Sequence, residues 1–271
     1  MSLDAAHGLL ACPVCAGALD VEGPAAACGA GHRFDVARQG YLGLLGGPQP
    51  AHADTPAMVE ARVRVLSSGA FDAVDAALAR CAPGARTILD VGGGTGHHLA
   101  RLLDARADAR GVSLDISTAA ARRAARAHPR AASVVADAWA GLPVRPHRFD
   151  LVTCVFAPRN MAAFARALAP GGQVLVVTPD AGHLASVRER YGLLAIDPDK
   201  DVRLQKAASS HFRTVARHRV RESLDADPAL VADLIAMGPN AFHGLPGRPA
   251  AMHTEVAVSV WVFRSSAPPL P

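Results

Sequence analysis

Three cysteines and one histidine near the start of the chain have the spacing of metal ligands. Cys12 and Cys15 form a C-x2-C pair, and Cys28 and His32 form a C-x3-H pair after a gap of twelve residues. Tetrahedral zinc takes four nitrogen or sulfur ligands, and a C-x2-C pair supplies two thiolates from one small loop. The pattern therefore predicts one structural zinc ion per chain, bound entirely by protein ligands.

Metal ligation would also explain how residues 9–45 fold. This segment is rich in turn-forming glycine and proline and is too short to bury a core of its own. One alternative is a chance grouping of thiols beside a surface histidine. Another, a redox C-x-x-C motif, is disfavoured because no thioredoxin-like βαβ pattern precedes it. Small zinc ribbons of this kind present a surface to nucleic acid or to a protein partner.

A second group of residues surrounds a glycine-rich turn with the pattern D-x-G-x-G-x-G. Glycines let the backbone approach a ligand closely, and the N-terminus of the helix that follows offers unpaired N–H groups. A histidine stands where the dinucleotide-binding motif G-x-G-x-x-G needs its last glycine, so nicotinamide binding is disfavoured. The predicted cofactor-binding residues of this turn are Asp90, Gly92, Gly94, Gly96, His97 and His98.

Two further carboxylates end the next two predicted strands. Asp115 lies nineteen residues beyond Gly96, where a carboxylate can accept hydrogen bonds from ribose hydroxyls. Asp137 ends the third strand, at a position suited to the adenine amino group. Acidic residues at three successive strand ends, one of them inside a glycine turn, resemble the class I methyltransferase superfamily. The resemblance implies that S-adenosylmethionine is the cofactor.

These residues need a sheet whose strand ends meet along one edge. Short apolar runs alternate with helical segments from residue 86 onward, which is typical of parallel strands covered on both faces. We predict an α/β fold, a doubly wound, Rossmann-like methyltransferase sheet. A helix around Ala229–Met237 and an antiparallel hairpin of Phe212–Val220 and Val256–Phe263 would close it. The predicted parallel strands are Ile88–Val91, Val112–Ile116, Val134–Ala136, Leu151–Phe156 and Val174–Val177, and the helices between them are Leu99–Leu103, Thr118–Ala127 and Ala162–Leu168.

The chain divides into three predicted parts. Residues 1–45 form the zinc-binding module, residues 46–85 a linker and helical connection, and residues 86–271 the methyltransferase domain. Asp54-Thr55-Pro56 predicts a helix N-terminus, with an N-cap residue followed by proline just inside the helix.

Composition and charge limit the class of protein, its cellular location and its partners. Of 271 residues 50% are hydrophobic, which is enough for a globular core, and no apolar run approaches the length of a membrane span. The first thirty residues lack the features of a signal peptide, so we expect a cytoplasmic protein. A net charge of +4 permits an anionic partner but does not demand one.

Taken in order, these features resemble the RlmA family of 23S rRNA guanine-N1 methyltransferases. The zinc pattern is followed by the segment from Phe34 to Tyr41, then by Met58-Val-Glu-Ala-Arg62, and then by the glycine turn. Two further segments, Phe156-Ala-Pro-Arg-Asn160 and Gly238-Pro-Asn-Ala-Phe242-His243, are similar to the actinomycete, TlrB-like branch, which is linked to tylosin-type macrolide resistance. The resemblance implies methylation of guanine N1 in a 23S rRNA hairpin loop, with the zinc module recognising RNA.

The resemblance also suggests which residues meet the base. Arg159 and Asn160 follow the fourth strand at the usual substrate edge and are the predicted catalytic residues, with Phe156 or Phe242 stacking on the base. The alternative is that Arg159 and Asn160 only cap the following helix. Weaker candidates for a proton acceptor are His98, His211 and His243.

Two other functions stay open at this point. A small-molecule methyltransferase could use the zinc module as a lid over its site. A zinc-ribbon RNA-binding protein could carry an inactive methyltransferase fold, although the intact acidic residues and glycines argue against this. The sequence leaves the oligomeric state open, and a homodimer is compatible with it.

Overall fold

The computed structural model of the protein describes residues 2–243 and 247–265. It contains a small antiparallel sheet of three strands near the N-terminus and a central sheet of eight strands. The small sheet follows a 3-10 helix at Ser2–Ala6. Its strands are β1 (Leu19–Glu22), β2 (Ala25–Cys28) and β3 (Arg33–Asp35).

The central sheet is parallel from one edge to its sixth strand and ends in an antiparallel pair. Its strands are β4 (Tyr41–Gly43), β5 (Thr87–Val91), β6 (Arg110–Asp115), β7 (Ala131–Val135), β8 (Phe149–Val155), β9 (Leu168–Pro179), β10 (Phe212–Ala226) and β11 (Met252–Ser265). They lie in the order β10-β11-β9-β8-β5-β6-β7-β4. The order reverses between β5 and β8, and parallel α/β sheets form ligand crevices at such a point.

Helices cover both faces of this sheet. The first begins as the sequence predicts, because the Thr55 hydroxyl accepts a hydrogen bond of 3.3 Å from the backbone N–H of Met58 and Pro56 occupies the first helical turn. None of the helices in residues 2–243 and 247–265 is long and apolar enough to cross a membrane. The helices are α1 (Pro56–Ser67), α2 (Asp72–Cys81), α3 (His97–Asp104), α4 (Thr118–Ala124), α5 (Met161–Ala167), α6 (Ala185–Tyr191), α7 (Lys200–Ser209) and α8 (Pro228–Ala236).

The N-terminal segment packs directly onto one face of the central sheet. Leu9, Leu10 and Leu19 are almost fully buried and belong to the same apolar cluster as Leu89 and Val112 of the sheet. The second apolar cluster lies on the opposite face, under α1, α2, α3 and α8. The segment that lacks a core of its own therefore shares the core of the sheet.

The predicted α/β class and its parallel strands are confirmed, but the three strands of the small sheet, the edge strand Tyr41–Gly43 and helices α6 and α7 were not predicted. Tyr41–Gly43 adds an edge strand beside Ala131–Val135, although it lies inside the segment assigned to the zinc module. Three residues are too few to show an alternating pattern. Helices α6 and α7 lie in a stretch whose apolar residues are sparse, with few buried positions on each helix. The division at residues 45 and 85 stays a prediction.

Candidate functional site

The backbone of the glycine turn after β5 lies so close to neighbouring atoms that side chains there would collide with them. A Cβ atom added to Gly92 would lie 2.2 Å from the Cβ of Ala157, and Gly92 has a φ of +68°. A Cβ on Gly93 would lie 2.3 Å from Ser113 Oγ and 2.7 Å from Asp90 Oδ2. The turn therefore follows a path that only glycine can take, which leaves its backbone bare toward a ligand.

Asp90 lies behind this turn. Its Oδ1 accepts a hydrogen bond of 2.7 Å from Thr153 Oγ1, whereas its buried Oδ2 has no partner within the described residues. Burial raises the pKa of Asp90, and the hydrogen bond from Thr153 opposes this rise. Asp90 therefore lies behind the glycine turn, in contact with Thr153 of the sheet, and it does not face the cleft.

Asp115 ends β6 and ties the glycine turn to the sheet. Its Oδ2 accepts a 2.8 Å hydrogen bond from the backbone N–H of Gly94, and its Oδ1 accepts one of the same length from Ser117. Burial raises its pKa, and these two backbone donors oppose the rise. A carboxylate oxygen can accept more than one hydrogen bond, so both oxygens keep capacity for ribose hydroxyls.

A cleft of about 750 Å³ opens at the carboxyl ends of the parallel strands. Gly92, Gly94, His98, Asp115 and Asp137 of the predicted cofactor residues line it. The remaining predicted cofactor and catalytic residues are not part of the lining: Asp90, Gly96, His97, Arg159 and Asn160.

His97 and His98 share a partner, Asp75, that is not among the predicted site residues. His97 Nε2 lies 2.9 Å from Asp75 Oδ2, and His98 Nδ1 lies 2.6 Å from Asp75 Oδ1. Burial alone would raise the pKa of Asp75, but the hydrogen bonds from the two histidines outweigh it and lower the pKa well below its usual range. His97 therefore anchors the start of α3 to α2, while His98 does so and also forms part of the cleft wall.

The predicted catalytic pair lies at the start of α5. Asn160 caps this helix, because its Oδ1 accepts from the backbone N–H of Ala163 at 3.1 Å. Its Nδ2 donates to the carbonyl oxygen of Ala138 at 3.2 Å. Both polar atoms of Asn160 are therefore engaged, which favours the alternative interpretation in which it caps the helix. Contact between Arg159 and a base stays a prediction.

Other residues of the cleft carry features that suit a base. Trp139, Phe156 and Phe242 line it with 64%, 42% and 49% of their surface exposed. Phe156 has a φ of +54°, a strained conformation for a large side chain, and strain of this kind is concentrated at functional sites. Of the three histidines considered as proton acceptors, His98 lines the cleft and His211 does not, and the side chain of His243 lies outside the described residues.

Arg62 of α1 closes the cleft beside the glycine turn. It forms an ion pair with Asp54, and its Nη2 donates to the carbonyl oxygen of Met237 at 2.5 Å. A Cβ on Gly94 would lie 3.2 Å from Arg62 Nη1, so the guanidinium lies directly over the turn. In the sequence, Arg62 stands out only as the end of the Met58–Arg62 segment that resembles the family.

The four predicted metal ligands come together in the structure. The ligand atoms of Cys12, Cys15, Cys28 and His32 all lie within 4.8 Å of one another. The two sulfur atoms of Cys15 and Cys28 are 3.6 Å apart, and Cys28 Sγ is 3.4 Å from His32 Nδ1. Tetrahedral zinc with bonds of about 2.0–2.3 Å separates its ligand atoms by about 3.3–3.8 Å. The donor set and its spacing therefore fit zinc.

Comparison with known proteins assigns both parts of the chain to known domain families. A methyltransferase domain matches residues 88–172, and the N-terminal zinc ribbon of RlmA matches residues 10–49. A chain has the same fold in the solved complex between the Haloferax volcanii Trm112 methyltransferase activator and a protein assigned as a methyltransferase. Its TM-score is 0.53 at 18% identity, and the match covers 80% of this chain and 98% of that chain. The protein is an S-adenosylmethionine-dependent methyltransferase that carries a zinc ribbon.

Two relatives match almost the whole chain. The 23S rRNA (guanine(748)-N(1))-methyltransferase of Streptomyces fradiae is 45% identical over 253 residues, which cover 91% of this chain and 90% of the relative. A Micromonospora griseorubida protein assigned as a 23S rRNA (guanine-N(1)-)-methyltransferase is 43% identical, with 93% of each chain covered. The chain belongs to the RlmA family of 23S rRNA guanine-N1 methyltransferases, and the predicted resemblance is confirmed.

Proposed function

We propose that the protein transfers the methyl group of S-adenosylmethionine to N1 of a guanine in a hairpin loop of 23S rRNA. The identity of 45% with the Streptomyces fradiae enzyme over 91% of the chain carries this proposal. The cleft supports it, because a bare glycine turn and two strand-end carboxylates share one cavity with exposed aromatic side chains.

The residues of the cleft divide into a cofactor side and a base side. On the cofactor side, Asp115 accepts from ribose hydroxyls and Asp137 receives the adenine amino group. Asp137 is oriented for this role because its Oδ1 accepts a 2.8 Å hydrogen bond from the backbone N–H of Trp139. The Arg62 guanidinium over the glycine turn suits the carboxylate of the methionine moiety. When bound, the cofactor supplies a sulfonium methyl group whose leaving group is a neutral thioether.

The base side must accept a guanine that is not paired. N1 is a Watson–Crick atom, so the target has to be single-stranded or flipped out of its stack. Trp139 and Phe242 offer exposed aromatic faces for such a base, and stacking on an aromatic side chain is worth about 1–3 kcal/mol per base. Positioning N1 against the methyl group would then provide much of the catalysis.

We propose that the zinc ribbon recognises the RNA that surrounds the target guanine. A pocket for one base cannot distinguish a single guanine from every other exposed guanine, so additional surface is required. Arg33, which directly follows the ligand His32, and Arg38, in the turn after β3, are exposed and can pair with phosphates. Because Leu9 and Leu10 bury this segment against the central sheet, the ribbon would present its arginines in a fixed relation to the cleft.

The cellular role follows from the target. We propose that the protein acts in the cytoplasm, where ribosomes are assembled, and that methylation confers resistance to tylosin-type macrolides. The identity of 45% with the Streptomyces fradiae relative supports this role, and so do the segments around Phe156 and Phe242, which resemble the branch linked to tylosin-type resistance. A homodimer is compatible with the proposal and is not needed for it.

Primer extension tests the proposed activity. Deproteinised 23S rRNA from a strain without this modification is incubated with the protein and S-adenosylmethionine, and then copied by reverse transcriptase. A methyl group at N1 blocks base pairing, so we expect one new stop that depends on both components. Absence of any new stop, with methyl transfer to small molecules instead, would favour the alternative of a small-molecule methyltransferase.

A further inference from the structure

His183 lies in the cleft and has no part in the function described so far. It belongs to the segment between β9 and α6, and its ring lines the cleft beside two phenylalanines. The ring stacks on Phe156 with centroids 5.5 Å apart and meets Phe71 edge-on at 6.2 Å. These contacts fix the plane of the imidazole.

The hydrogen bonds of His183 determine which ring nitrogen carries the proton. Its Nδ1 lies 3.3 Å from the backbone nitrogen of Ala257, which can only donate, so Nδ1 accepts. A neutral imidazole that accepts at Nδ1 carries its proton on Nε2. Within the described residues Nε2 has no protein hydrogen-bond partner, which leaves an N–H donor available to a ligand in the cleft.

The surroundings of His183 keep the ring neutral. Its pKa is lowered to about 4, mainly by burial. The charges of Arg188 and Lys200 lower the pKa further, whereas the charge of Asp180 opposes this. The backbone is fixed as well, because the carbonyl oxygen of His183 accepts from Arg188 Nε at 2.9 Å. His183 is thus a fixed donor that cannot serve as an acid near neutral pH.

We propose that His183 is a catalytic residue whose Nε2–H donates a hydrogen bond to O6 of the target guanine. The inference rests on the proposed function. As N1 bonds to the methyl carbon, the carbon–sulfur bond breaks and its electron pair goes to sulfur, while the N1 proton leaves to water. Loss of that proton places negative charge on N1 and O6, and a donor aimed at O6 stabilises this charge. A neutral donor does so without transferring its own proton to the base.

The first test compares two variants with the unchanged protein in single-turnover methylation of 23S rRNA. His183→Phe keeps an aromatic ring beside Phe156 but removes the donor, so we expect the methylation rate to fall about 100-fold. Affinity for S-adenosylmethionine and the KM for RNA should change less than about threefold, because the interaction belongs to the transition state. His183→Gln retains an N–H donor and should recover part of the rate. His253→Gln, at an exposed histidine on β11, is the control and should match the unchanged protein.

The second test changes the substrate and needs no variant. An RNA with 6-thioguanosine at the methylated position replaces O6 by sulfur, a weaker acceptor. Because sulfur also makes N1 more acidic, the informative quantity is the loss caused by the variant on each RNA. His183→Phe should lose about 100-fold on the unmodified RNA and much less on the thio-RNA. An equal loss on both RNAs, or an unchanged rate in His183→Phe on the unmodified RNA, would overturn the role of His183. Failure of the unchanged protein to methylate any 23S rRNA would instead overturn the proposed function on which the role rests.

Discussion

At the scale of single residues, two carboxylates at or next to the cleft join neighbouring elements to one another. Asp115 was predicted as a ribose acceptor, and the structure shows that it also fastens the glycine turn through the N–H of Gly94. Asp75, absent from the predicted site, joins His97 and His98 from a neighbouring helix. The sequence could indicate Asp115 as a candidate because it follows an apolar strand at a known spacing. It could not identify Asp75, because a carboxylate on a helix carries no such signal.

Replacement of Asp115 is expected to weaken cofactor binding strongly. Asp115→Ala removes the ribose acceptor and releases the Gly94 N–H, and the loss of two hydrogen bonds to a charged group costs on the order of 2–4 kcal/mol. Isothermal titration should therefore show affinity for S-adenosylmethionine reduced at least about 30-fold, with a smaller loss for Asp115→Asn. The control is Asp108→Ala at an exposed loop position. Unchanged affinity in Asp115→Ala would remove the residue from the cofactor site.

Asp75 should stabilise the fold in a pH-dependent manner. Its folded-state pKa is lowered, so its contribution is fully present above the pKa of an unfolded aspartate, near 4, and is lost as the pH falls toward the folded value. Asp75→Asn should reduce the free energy of unfolding by about 1–3 kcal/mol at pH 7. Urea denaturation should show this difference shrinking below about pH 4. A difference that stays constant with pH would contradict the charged interaction with the histidines.

At the scale of elements, periodicity predicted the helices and strands that bury a continuous apolar face. The parallel strands and β11 belong to this group, whereas most of β10 is exposed and the start of α1 was predicted from its cap residue and proline. The edge strand Tyr41–Gly43 depends on pairing with a strand some ninety residues later in the chain, which a local pattern cannot show. Asn160 illustrates the same limit, since its position after a strand suits either a ligand contact or a helix cap.

The glycine turn gives a prediction at this scale. Gly92→Ala would bring a Cβ within 2.2 Å of the Cβ of Ala157 and would place alanine at a φ of +68°. We expect at least a tenfold loss of affinity for S-adenosylmethionine, because the turn must shift and the left-handed conformation costs about 1 kcal/mol or more. Adding Ala157→Gly removes the collision and should restore part of the affinity. Gly84→Ala, which meets no atom within 4 Å, should bind normally. Full affinity in Gly92→Ala would show that the turn tolerates a side chain.

At the scale of the whole molecule, the zinc ribbon and the methyltransferase sheet share a core. The sequence predicted that the ribbon depends on metal, but it did not reveal that Leu9, Leu10 and Leu19 pack onto the sheet. Such packing joins residues far apart in the chain, and composition alone does not identify the partner of an apolar side chain. The ribbon is therefore an extension of the catalytic unit in which metal binding and burial support each other.

Removal of the metal ligands tests this coupling in the full chain. Cys12→Ser with Cys15→Ser should abolish the single bound zinc and lower the melting temperature, since the ribbon would lose the ligands that order its loops. Affinity for S-adenosylmethionine should change little, because the cleft is lined by residues from His52 onward. Methylation of 23S rRNA should be lost. The matched control is Cys81→Ser, a cysteine outside the metal site. Zinc content equal to that of the unchanged protein would contradict the ligand assignment.

The central claim is that one cleft binds S-adenosylmethionine and directs its methyl group to N1 of a guanine in 23S rRNA. The most direct measurement is mass spectrometry of nucleosides from 23S rRNA treated with the protein, alongside primer extension on the same RNA. The account predicts 1-methylguanosine at a single position, with a reverse-transcriptase stop there, and both signals strongly reduced with Asp115→Ala when S-adenosylmethionine is below saturation. A methyl group on another atom or another molecule, or full activity in Asp115→Ala, would contradict it.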